Sequence, residues 1–428
     1  MTTDESNSDM IIDLPDNVID CILSKLPIRD AVRTSMLSKK WRYRWITLPY
    51  LVFAYKAFLG GKGEFEENKF VKFINNVLFL HDGPILKFAL SISCMRSYPE
   101  MDQWIVFLSR KNVVNFTLEN WNGERHKLHS RFFSLQKLTN LKLRRCIINP
   151  PADFSGFKCL RSLELYRITI ADDALESLIS SCPLLKKLKL YGFNYVDRLN
   201  IQAPQLKKLY FFGKCKSMCF GNTPRLAELE IRLKKLPEIA GLSLHEKSIN
   251  LYENVGFLSS VKRLCVGYHF LKFLAAGSVP KKLPITLKNL SSIELFDLPF
   301  DDLDVVSCTL LLMQSSRKLH DLNIKADSNS SADMESVVRF LIEENCSFYL
   351  RKLLYVKLTY FSGVTPEMEF IKFILVKSPL LQMMIVEPNE DDPFYIESRV
   401  TKDLIRFPRA SKTAEIIYNT AEITSRVG

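Results

Sequence analysis

The sequence is poor in several features that would place it outside the ordinary globular classes. It holds only 15 glycines and 19 prolines among 428 residues, too few for a collagen-like or low-complexity chain. No apolar run approaches the roughly 20 residues that a membrane-spanning helix needs. Residues 1–9 are polar and acidic, without the basic and apolar regions of a secretory signal. We therefore expect a disordered segment at 1–9 and a soluble intracellular protein, in the nucleus and/or the cytoplasm.

Residues that carry catalysis or bind metals are also scarce. The six histidines include one close pair, His126 and His129, with no partner at ligand spacing beside it. The ten cysteines are spread singly, which in a protein that is not exported is most simply a set of reduced thiols. The segment Gly60-Gly61-Lys62-Gly63 lacks the Lys-Ser/Thr that ends a P-loop. The sequence predicts no catalytic residue, no metal site and no cofactor.

Positive charge, by contrast, is in excess. Lysine and arginine number 59 against 47 aspartate and glutamate, so the formal net charge is +12, and the isoelectric point is near 9.1. Such an excess favours acidic partners, whether a protein surface, a nucleic acid or an anionic small molecule. Composition alone does not choose among them.

Apolar residues near the start recur at helical spacing and predict three short helices. Pro27 separates the first helix from the second. Ser38 is a candidate N-cap for the third, which places Trp41 and Trp45 four residues apart. The first two stripes are Val18, Ile19, Ile22, Leu23 and Leu26, then Ile28, Ala31, Val32, Ser35 and Met36. About forty residues cannot bury a sufficient core alone, so another surface must cover the remaining apolar side.

This stretch resembles a plant-type F-box. The matching positions are Leu14-Pro15, the run Ile22-Leu23-Ser24-Lys25-Leu26-Pro27, then Asp30, Arg33, Ser35, Leu37, Ser38, Trp41, Arg42 and Trp45. The family implies a docking surface for the Skp-type adaptor of a cullin-based ubiquitin ligase. Carried over from it, the expected adaptor contacts are Leu14, Pro15, Ile22, Leu26, Pro27, Leu37 and Trp41. Part of this set holds the helices together in an alternative interpretation, Trp41 first of all.

Basic residues surround that surface in the sequence. They are Arg29, Arg33, Lys39, Lys40, Arg42 and Arg44. Their expected effect is to speed encounter with an acidic adaptor more than to raise affinity.

After an extended apolar segment at 48–53 and a helix at 65–80, the phrase apolar-x-x-apolar-x-apolar recurs every 20 to 35 residues or so. The first occurrences are Ile85/Phe88/Leu90, Val113/Phe116/Leu118, Leu138/Leu141/Leu143, Leu160/Leu163/Leu165, Leu185/Leu188/Leu190, Leu206/Leu209/Phe211 and Leu226/Leu229/Ile231. The later ones are Val261/Leu264/Val266, Leu290/Ile293/Leu295, Leu319/Leu322/Ile324, Leu353/Val356/Leu358 and Leu381/Met384/Val386. The last two apolar positions have the period of a strand with one face inward. Each unit then reads as strand, loop, helix and return, stacked on its neighbours.

These units resemble the irregular leucine-rich repeats that follow F-boxes in plant proteins. Residues 353–386, with Phe407-Pro408-Arg409-Ala410-Ser411, resemble the FBD module that ends many such chains and would cap the solenoid. The interval 233–261 matches poorly and is either an atypical repeat or a loop. The predicted fold is α/β: an F-box at 10–56, irregular leucine-rich repeats at 57–345 and an FBD-like cap at 346–428.

The outward residues of the repeat strands are the candidates for target recognition, because they alternate with the inward pair. An aromatic strip beside positive charge suits an acidic, partly apolar protein; a charged, solvated face with incidental aromatics is the alternative. The candidates are Lys142, Arg144, Tyr166, Lys187, Lys189, Tyr191, Lys208, Tyr210 and Phe212.

The resemblance implies a non-catalytic substrate receptor of an SCF (Skp-cullin-F-box) E3 ubiquitin ligase. Its expected partners are the Skp-type adaptor, through it the cullin, and an unknown target protein; no membrane is expected. Two alternatives stay open: a nucleic-acid- or chromatin-binding protein that uses the basic face, and a small-molecule sensor of the F-box/leucine-rich-repeat type. A steep fall of binding with salt would favour the nucleic-acid alternative.

Overall fold

A computed structural model describes residues 14–59, 66–95, 99–235, 251–275, 282–327, 334–343, 348–389 and 397–418. The chain forms two compact units, Met1–Phe193 and Asn194–Gly428. The predictions for 1–9, for Gly60-Gly61-Lys62-Gly63 and for most of 233–261 concern residues outside those described. The predicted boundaries at 56/57 and 345/346 stay predictions.

The first unit begins with a helical head, which we define as residues 14–47. It holds helices α1 (Asp16–Lys25) and α2 (Ile28–Arg33) and two 3₁₀ helices, Thr34–Met36 and Arg44–Thr47. Proline starts both α-helices: the carbonyl of Pro15 accepts from the N–H of Val18 at 3.0 Å, and that of Pro27 from Asp30 at 2.9 Å. A fixed φ and a missing N–H suit proline to the start of a helix.

The rest of the first unit is a parallel sheet with helices in the connections. Its helices are α3 (Glu67–Leu80), α4 (Pro99–Ser109) and α5 (Asp172–Ser180), with 3₁₀ helices Tyr55–Phe58 and Ser130–Ser134. Its strands are β1 (Tyr50–Ala54), β2 (Lys87–Met95), β3 (Asn115–Gly123), β4 (His126–Lys127), β5 (Asn140–Arg144), β6 (Cys146–Ile147), β7 (Ser162–Tyr166) and the start of β8 (Lys187–Ile201). The order is β1-β2-β3-β5-β7-β8, while β4 pairs with β6 separately.

The second unit repeats the same design. Its described helices are α6 (Tyr268–Ala275), α7 (Leu303–Ser315), α8 (Met334–Glu343), α9 (Thr365–Lys377) and α10 (Glu397–Arg406), together with the 3₁₀ helix Leu251–Ser260. Its strands are β9 (Lys208–Phe220), β10 (Glu228–Leu233), β11 (Arg263–Gly267), β12 (Ser292–Leu298), β13 (Asp321–Ala326), β14 (Tyr355–Phe361), β15 (Met383–Pro388) and β16 (Glu415–Tyr418). They follow one another in chain order, each parallel to the next.

The strand register follows the predicted phrase. Phe116 pairs with Phe88 on one side and Leu141 on the other, and Leu163 pairs with Leu141 and Leu188. In the second unit Ile293 lies between Leu264 and Leu322 in the same way. Every inward residue of the phrases is at most 2% exposed. The repeat prediction is confirmed, because equal phrases in register bury one continuous apolar face.

Two strands of this sheet are not among the twelve predicted phrases. Strand β1 carries Leu51 opposite Phe88, and Leu48/Leu51/Phe53 fits the same phrase. Strand β16 pairs Ile416 with Met384, but no apolar residue stands three positions before Ile416. The first was therefore detectable from the sequence and the second was not.

The FBD-like segment holds the last helix and the last strand of the described residues, α10 and β16, and its role as a cap stays a prediction. Helix α10 leads into the motif at 407–411, where the buried Ser411 donates its Oγ–H to the Leu381 carbonyl at 2.7 Å. The N–H of Ala410 donates to the Leu375 carbonyl at 3.0 Å. These bonds join the motif at 407–411 to α9 and to the turn that precedes β15. Among the described residues, no helix has both the length and the apolar character needed to cross a bilayer.

Candidate interaction surfaces

The helical head has a small closed core. Ile19, Leu23, Ile28, Trp41 and Trp45 are each at most 3% exposed. The two tryptophans fill the space between short helices that have few other large side chains. Trp41 was predicted as an adaptor contact, with packing of the helices as the alternative; at 2% exposed it packs the core of the free head, which favours the alternative. Large aromatic side chains contribute most of the burial in so small a core.

The other predicted adaptor contacts keep accessible surface. Pro15, Pro27 and Leu37 are exposed, while Leu14, Ile22 and Leu26 are half-buried. Leu14 and Pro15 precede α1, whereas Leu26 and Pro27 lie at its far end. An α-helix of ten residues separates these pairs by roughly 15 Å.

The apolar pattern of the sequence did not predict that Met36 is a surface residue. It was predicted in the second apolar stripe, yet it is 87% exposed, and Leu37 beside it is 49% exposed. Helix α2 ends at Arg33 and continues as the 3₁₀ turn Thr34–Met36. Three residues per turn instead of 3.6 rotate Met36 out of the stripe. The change of helix type is therefore what exposes this apolar side chain.

The predicted third helix is a turn followed by the 3₁₀ helix Arg44–Thr47. Ser38 uses its backbone carbonyl, which accepts from the N–H of Trp41 at 3.2 Å. Its Oγ has no partner among the described residues, so the predicted side-chain cap is wrong. Tyr43 then takes a left-handed conformation with φ 62°. Trp41 and Trp45 are thus both buried, but they do not share one α-helix.

The basic residues of the head divide into two groups. Arg44 binds Asp16 and Asp20, with its Nη1 3.2 Å from Asp20, and the hydrogen bond to Asp16 raises the pKa of this guanidinium. Arg29 lies 4.7 Å from the centre of the Phe58 ring. These two arginines have structural partners, whereas Lys39 and Arg42 are exposed. Arg33 and Lys40 also lie near carboxylates, each 3.9 Å away, on Asp30 and Asp16 respectively. The expected effect of the six residues on encounter with the adaptor stays a prediction.

Hydrogen bonds attach the head to the first repeat. The carbonyl of Ile46 accepts from the N–H of Asp82 at 3.0 Å, and that of Pro49 accepts from Leu86 at 2.8 Å. Nε2 of His81 lies 3.0 Å from the Leu48 carbonyl. Burial lowers the pKa of His81, with a smaller opposing effect of that bond. A neutral His81 can donate there without a buried charge.

In the first unit the outward lysines form ion pairs across neighbouring strands. Lys142 lies 2.5 Å from Glu119 and Lys187 lies 2.7 Å from Glu164. Tyr166 stacks on Tyr191 with ring centres 5.3 Å apart, and its hydroxyl donates to Glu164 at 3.1 Å. Arg144 lies 5.0 Å from the Tyr166 ring centre. The predicted aromatic residues of β7 and β8 are therefore together, but part of the lysine charge is neutralised by glutamate.

The outward residues of β9 have similar partners in the second unit. Lys208 lies 2.7 Å from Glu228, whose carboxylate also accepts from the Tyr210 hydroxyl at 2.6 Å. Lys234 lies 4.8 Å from the Phe212 ring centre. Lys189, back on β8, is half-buried and its charge helps to lower the pKa of Glu164.

Trp121 was not predicted as a surface residue of this sheet. It lies on β3 beyond the repeated phrase, is 41% exposed, and donates its Nε1–H to Ser91 Oγ at 3.0 Å. Arg144 lies 4.1 Å from its ring centre. A phrase of six residues carries no signal for a strand that continues past it, so only the structure placed Trp121 here.

The comparisons with known proteins agree with this architecture. A family model described as "F-box domain" matches residues 11–52, and one described as "FBD-associated F-box protein At5g56370, LRR repeats" matches residues 101–238. The F-box/FBD/LRR-repeat protein At1g13570 of Arabidopsis thaliana is 38% identical over 96% of this chain and 98% of its own length. The chain belongs to the F-box/FBD/LRR-repeat family.

A second relative has a lower identity and the same extent. The FBD-associated F-box protein At5g56370 of Arabidopsis thaliana is 27% identical over 96% of this chain and 100% of its own length. Membership identifies the helical head as the F-box, which indicates interaction with a Skp-type adaptor in SCF complexes.

The histidine pair of this F-box/FBD/LRR-repeat protein has structural roles. His129 caps the 3₁₀ helix Ser130–Ser134, its Nδ1 accepting from the N–H of Arg131 at 3.1 Å. His126 lies 3.6 Å from Asp102, and burial lowers its pKa despite that carboxylate. In the part of the chain that the structure describes, no group of three His, Cys, Asp or Glu side chains could hold a metal ion.

Several cysteines pack the interior. Burial raises the pKa of Cys146 to about 12 and that of Cys182 to about 11. Both thiols therefore remain protonated near neutral pH and are poor nucleophiles.

Proposed function

We propose that this protein is a non-catalytic substrate receptor of an SCF-type E3 ubiquitin ligase, acting in the nucleus and/or the cytoplasm. The F-box holds the Skp-type adaptor, the repeats hold a target protein, and a separate enzyme transfers ubiquitin. The receptor would raise the rate by keeping target lysines near the charged donor. Imaging of a fluorescent fusion tests the location.

One observation supports the adaptor half of the proposal most directly. Ile19, Trp41 and Trp45 of the F-box are buried in a closed core. Met36 and Leu37, which lie between them in the chain, are exposed. Exposed apolar side chains on an otherwise closed small domain are typical of a protein interface. Pro15 and Pro27 add apolar surface at the two ends of α1.

The adaptor half is tested by co-purification with a Skp-type adaptor. We expect a stoichiometric complex that is lost in the double variant Pro15→Ala/Leu26→Ala. The matched control is Asn17→Ala/Lys25→Ala, which truncates two exposed polar residues of the same helix. Equal adaptor recovery from both double variants would contradict the proposal.

The target half rests on the outward face of the repeats. Stacked Tyr166 and Tyr191 offer apolar area with polar tips, which is the composition enriched at interface centres. Proteins that accumulate when the F-box is mutated are the candidate targets. We expect the same proteins to accumulate when Tyr166 and Tyr191 are both changed to Ala while the adaptor still binds. Accumulation in the F-box variant alone would contradict this use of the face.

A further inference from the structure

Basic side chains recur just before the strands of the second unit. Each of the consecutive strands β9 to β14 is preceded, within four residues of its start, by one or two exposed lysines or arginines. Because these strands are parallel, their starts lie at the same edge of the sheet. We call the following residues the basic row: Lys207, Arg225, Lys262, Lys288, Arg317, Lys318, Arg351 and Lys352.

Backbone hydrogen bonds hold the segments of the basic row side by side. The carbonyl of Lys207 accepts from the N–H of Ala227 at 2.9 Å, and that of Ala227 accepts from Lys262 at 2.8 Å. The Lys262 carbonyl accepts in turn from the N–H of Ser291 at 2.9 Å, and the same pattern continues to Leu354. Since neighbouring strands are about 4.8 Å apart, the basic row covers roughly 24 Å of this edge.

The described residues do not neutralise the charge of the basic row. On the outward face of the same sheet Lys208 lies 2.7 Å from Glu228, but no described carboxylate lies within ion-pair distance of the row. Arg225 donates to the neutral amide of Gln205 at 2.6 Å. Asp321, at the start of β13, is exposed and forms no ion pair with the row. Like charges at this spacing repel one another, and an anion bound along the row would relieve the repulsion.

Two exposed tyrosines flank the last pair of cations in the basic row. Tyr349 is 58% exposed and Tyr355 is 46% exposed. The ammonium of Lys377 lies 5.2 Å from the centre of the Tyr349 ring, and the Tyr355 hydroxyl donates to Gln382 at 3.0 Å. Exposed aromatic rings beside positive charge stack with the bases of single strands, with little dependence on sequence.

These features fit a polymer with regular charge better than a folded acidic protein. Recognition of a folded protein relies on apolar anchors that fill pockets. The grooves that the described residues form beside α4 and between α10 and β16 contain no member of the basic row. A single-stranded nucleic acid carries a charge in every nucleotide, and cations and ring faces are enough to bind it.

We propose that the basic row binds single-stranded nucleic acid, with Tyr349 and Tyr355 stacking on the bases. This binding goes beyond the proposed function and does not depend on it, because neither the F-box nor the outward face of the repeats takes part. A receptor with this property would act on target proteins that are located on RNA or on single-stranded DNA.

The test uses the full chain and two fluorescein-labelled probes of about 20 nucleotides, oligo(U) and oligo(dT), which distinguish RNA from DNA. Fluorescence anisotropy measures the affinity between about 50 and 200 mM KCl. We expect at least one probe to bind, with an affinity that falls about fiftyfold over this range, as about four phosphate contacts would give.

The double variant Arg351→Gln/Lys352→Gln removes two exposed cations of the basic row. We expect it to weaken binding about tenfold and to make the salt dependence shallower. The matched control is Lys402→Gln/Arg406→Gln, which removes two exposed cations of α10 in the same unit and should bind like the wild type. If the first variant does not fold, Arg317→Gln/Lys318→Gln replaces it.

The tyrosines are tested by a second pair of variants. Tyr349→Ala/Tyr355→Ala should weaken binding about fivefold or more, because the stacking surface is lost. Tyr349→Phe/Tyr355→Phe keeps both rings and should bind like the wild type.

Several results would overturn the inference. They are no binding of either oligonucleotide, an equal loss in the Arg351/Lys352 variant and its control, and unchanged binding after both tyrosines become alanine. Tighter binding of a poly-glutamate peptide of equal length would overturn it in favour of an acidic protein segment, and tighter binding of duplex DNA would overturn the assignment to single strands. Co-purification with the Skp-type adaptor is measured separately, so a loss of adaptor binding counts against the proposed function alone.

Discussion

Apolar residues recur regularly both in the F-box and in the repeat strands of the first unit, but their burial differs. In the repeats, inward residues such as Leu141, Leu163 and Leu188 are at most 2% exposed. In the F-box, Met36 is 87% exposed although it belongs to the second apolar stripe, and its neighbour Leu37 is 49% exposed. A repeat inside the array has a similar repeat on each side to cover it, whereas the described hydrogen bonds of the F-box to the rest of the chain go to the segment that follows it. Periodic apolar residues are therefore buried in one region and partly exposed in the other.

The largest effect is expected when a large buried side chain is removed from the small core of the F-box. We expect Trp41→Ala to destabilise the F-box by about 3–5 kcal/mol, because the buried ring leaves a cavity. Hydrogen exchange of the α1 and α2 amides measures this local free energy. The exposed neighbour Arg42→Ala is the control. If Trp41→Ala weakened adaptor binding with unchanged exchange, Trp41 would be a contact after all.

A cavity in the sheet tests the other region. Leu163 is fully buried between Leu141 and Leu188. We expect Leu163→Ala to lower the free energy of unfolding by about 2–5 kcal/mol, measured by urea denaturation followed by circular dichroism. Arg161→Ala, at an exposed position just before β7, should change it by less than about 0.5 kcal/mol. Equal effects of the two variants would mean that the strand register is wrong.

A charge introduced on the exposed apolar surface of the F-box tests whether that surface binds the adaptor and is not needed for folding. We expect Leu37→Asp to weaken adaptor affinity about tenfold or more, since an apolar contact is replaced by a charge that must be desolvated. The melting temperature should stay unchanged, because Leu37 is half exposed in the free chain. Isothermal titration calorimetry with the adaptor measures the affinity. Asn17→Asp adds the same charge at another exposed position and should bind normally if Leu37 is at the interface.

The smallest expected effect is on the outward face, where ion pairs rather than packing operate. Burial tends to raise the pKa of Glu164, but the hydrogen bond from Lys187 and the charges of Lys189 and Lys187 lower it overall, below the ordinary 4.5. A lowered folded-state pKa adds stability above pH 4.5, and that stability is lost as the pH falls through the folded-state value.

We therefore expect Glu164→Gln to remove less than about 1 kcal/mol near neutral pH and to flatten the loss of stability on acidification. Urea denaturation at several pH values measures both. Glu124→Gln, at an exposed position, is the control and should leave the acid-side slope unchanged. A slope that is identical in wild type and Glu164→Gln would exclude this pair as a contributor.

Local periodicity was enough to predict the repeat register, because an inward position depends only on neighbouring phrases. Leu138/Leu141/Leu143 and the later phrases were all placed correctly for that reason. The F-box surface was predicted less well. Met36 is exposed although it was placed in an apolar stripe, and Trp41 is buried as in the alternative interpretation, because a 3₁₀ turn and a left-handed Tyr43 change which side of the chain faces inward. The spacing of apolar residues in the sequence does not predict either conformation.

By itself, the sequence determined the family, the order of its parts and the inward face of each strand, since these follow from motifs and from a period of two. Only the tertiary structure decided which outward charges are compensated. It paired Lys142 and Lys187 with glutamates from neighbouring strands, whereas Arg144 at the end of β5 lies against the rings of Trp121 and Tyr166, with no carboxylate at ion-pair distance among the described residues. Partners on adjacent strands are some 20 to 35 residues apart in a repeat of this kind, and the exact register that joins them is set by packing.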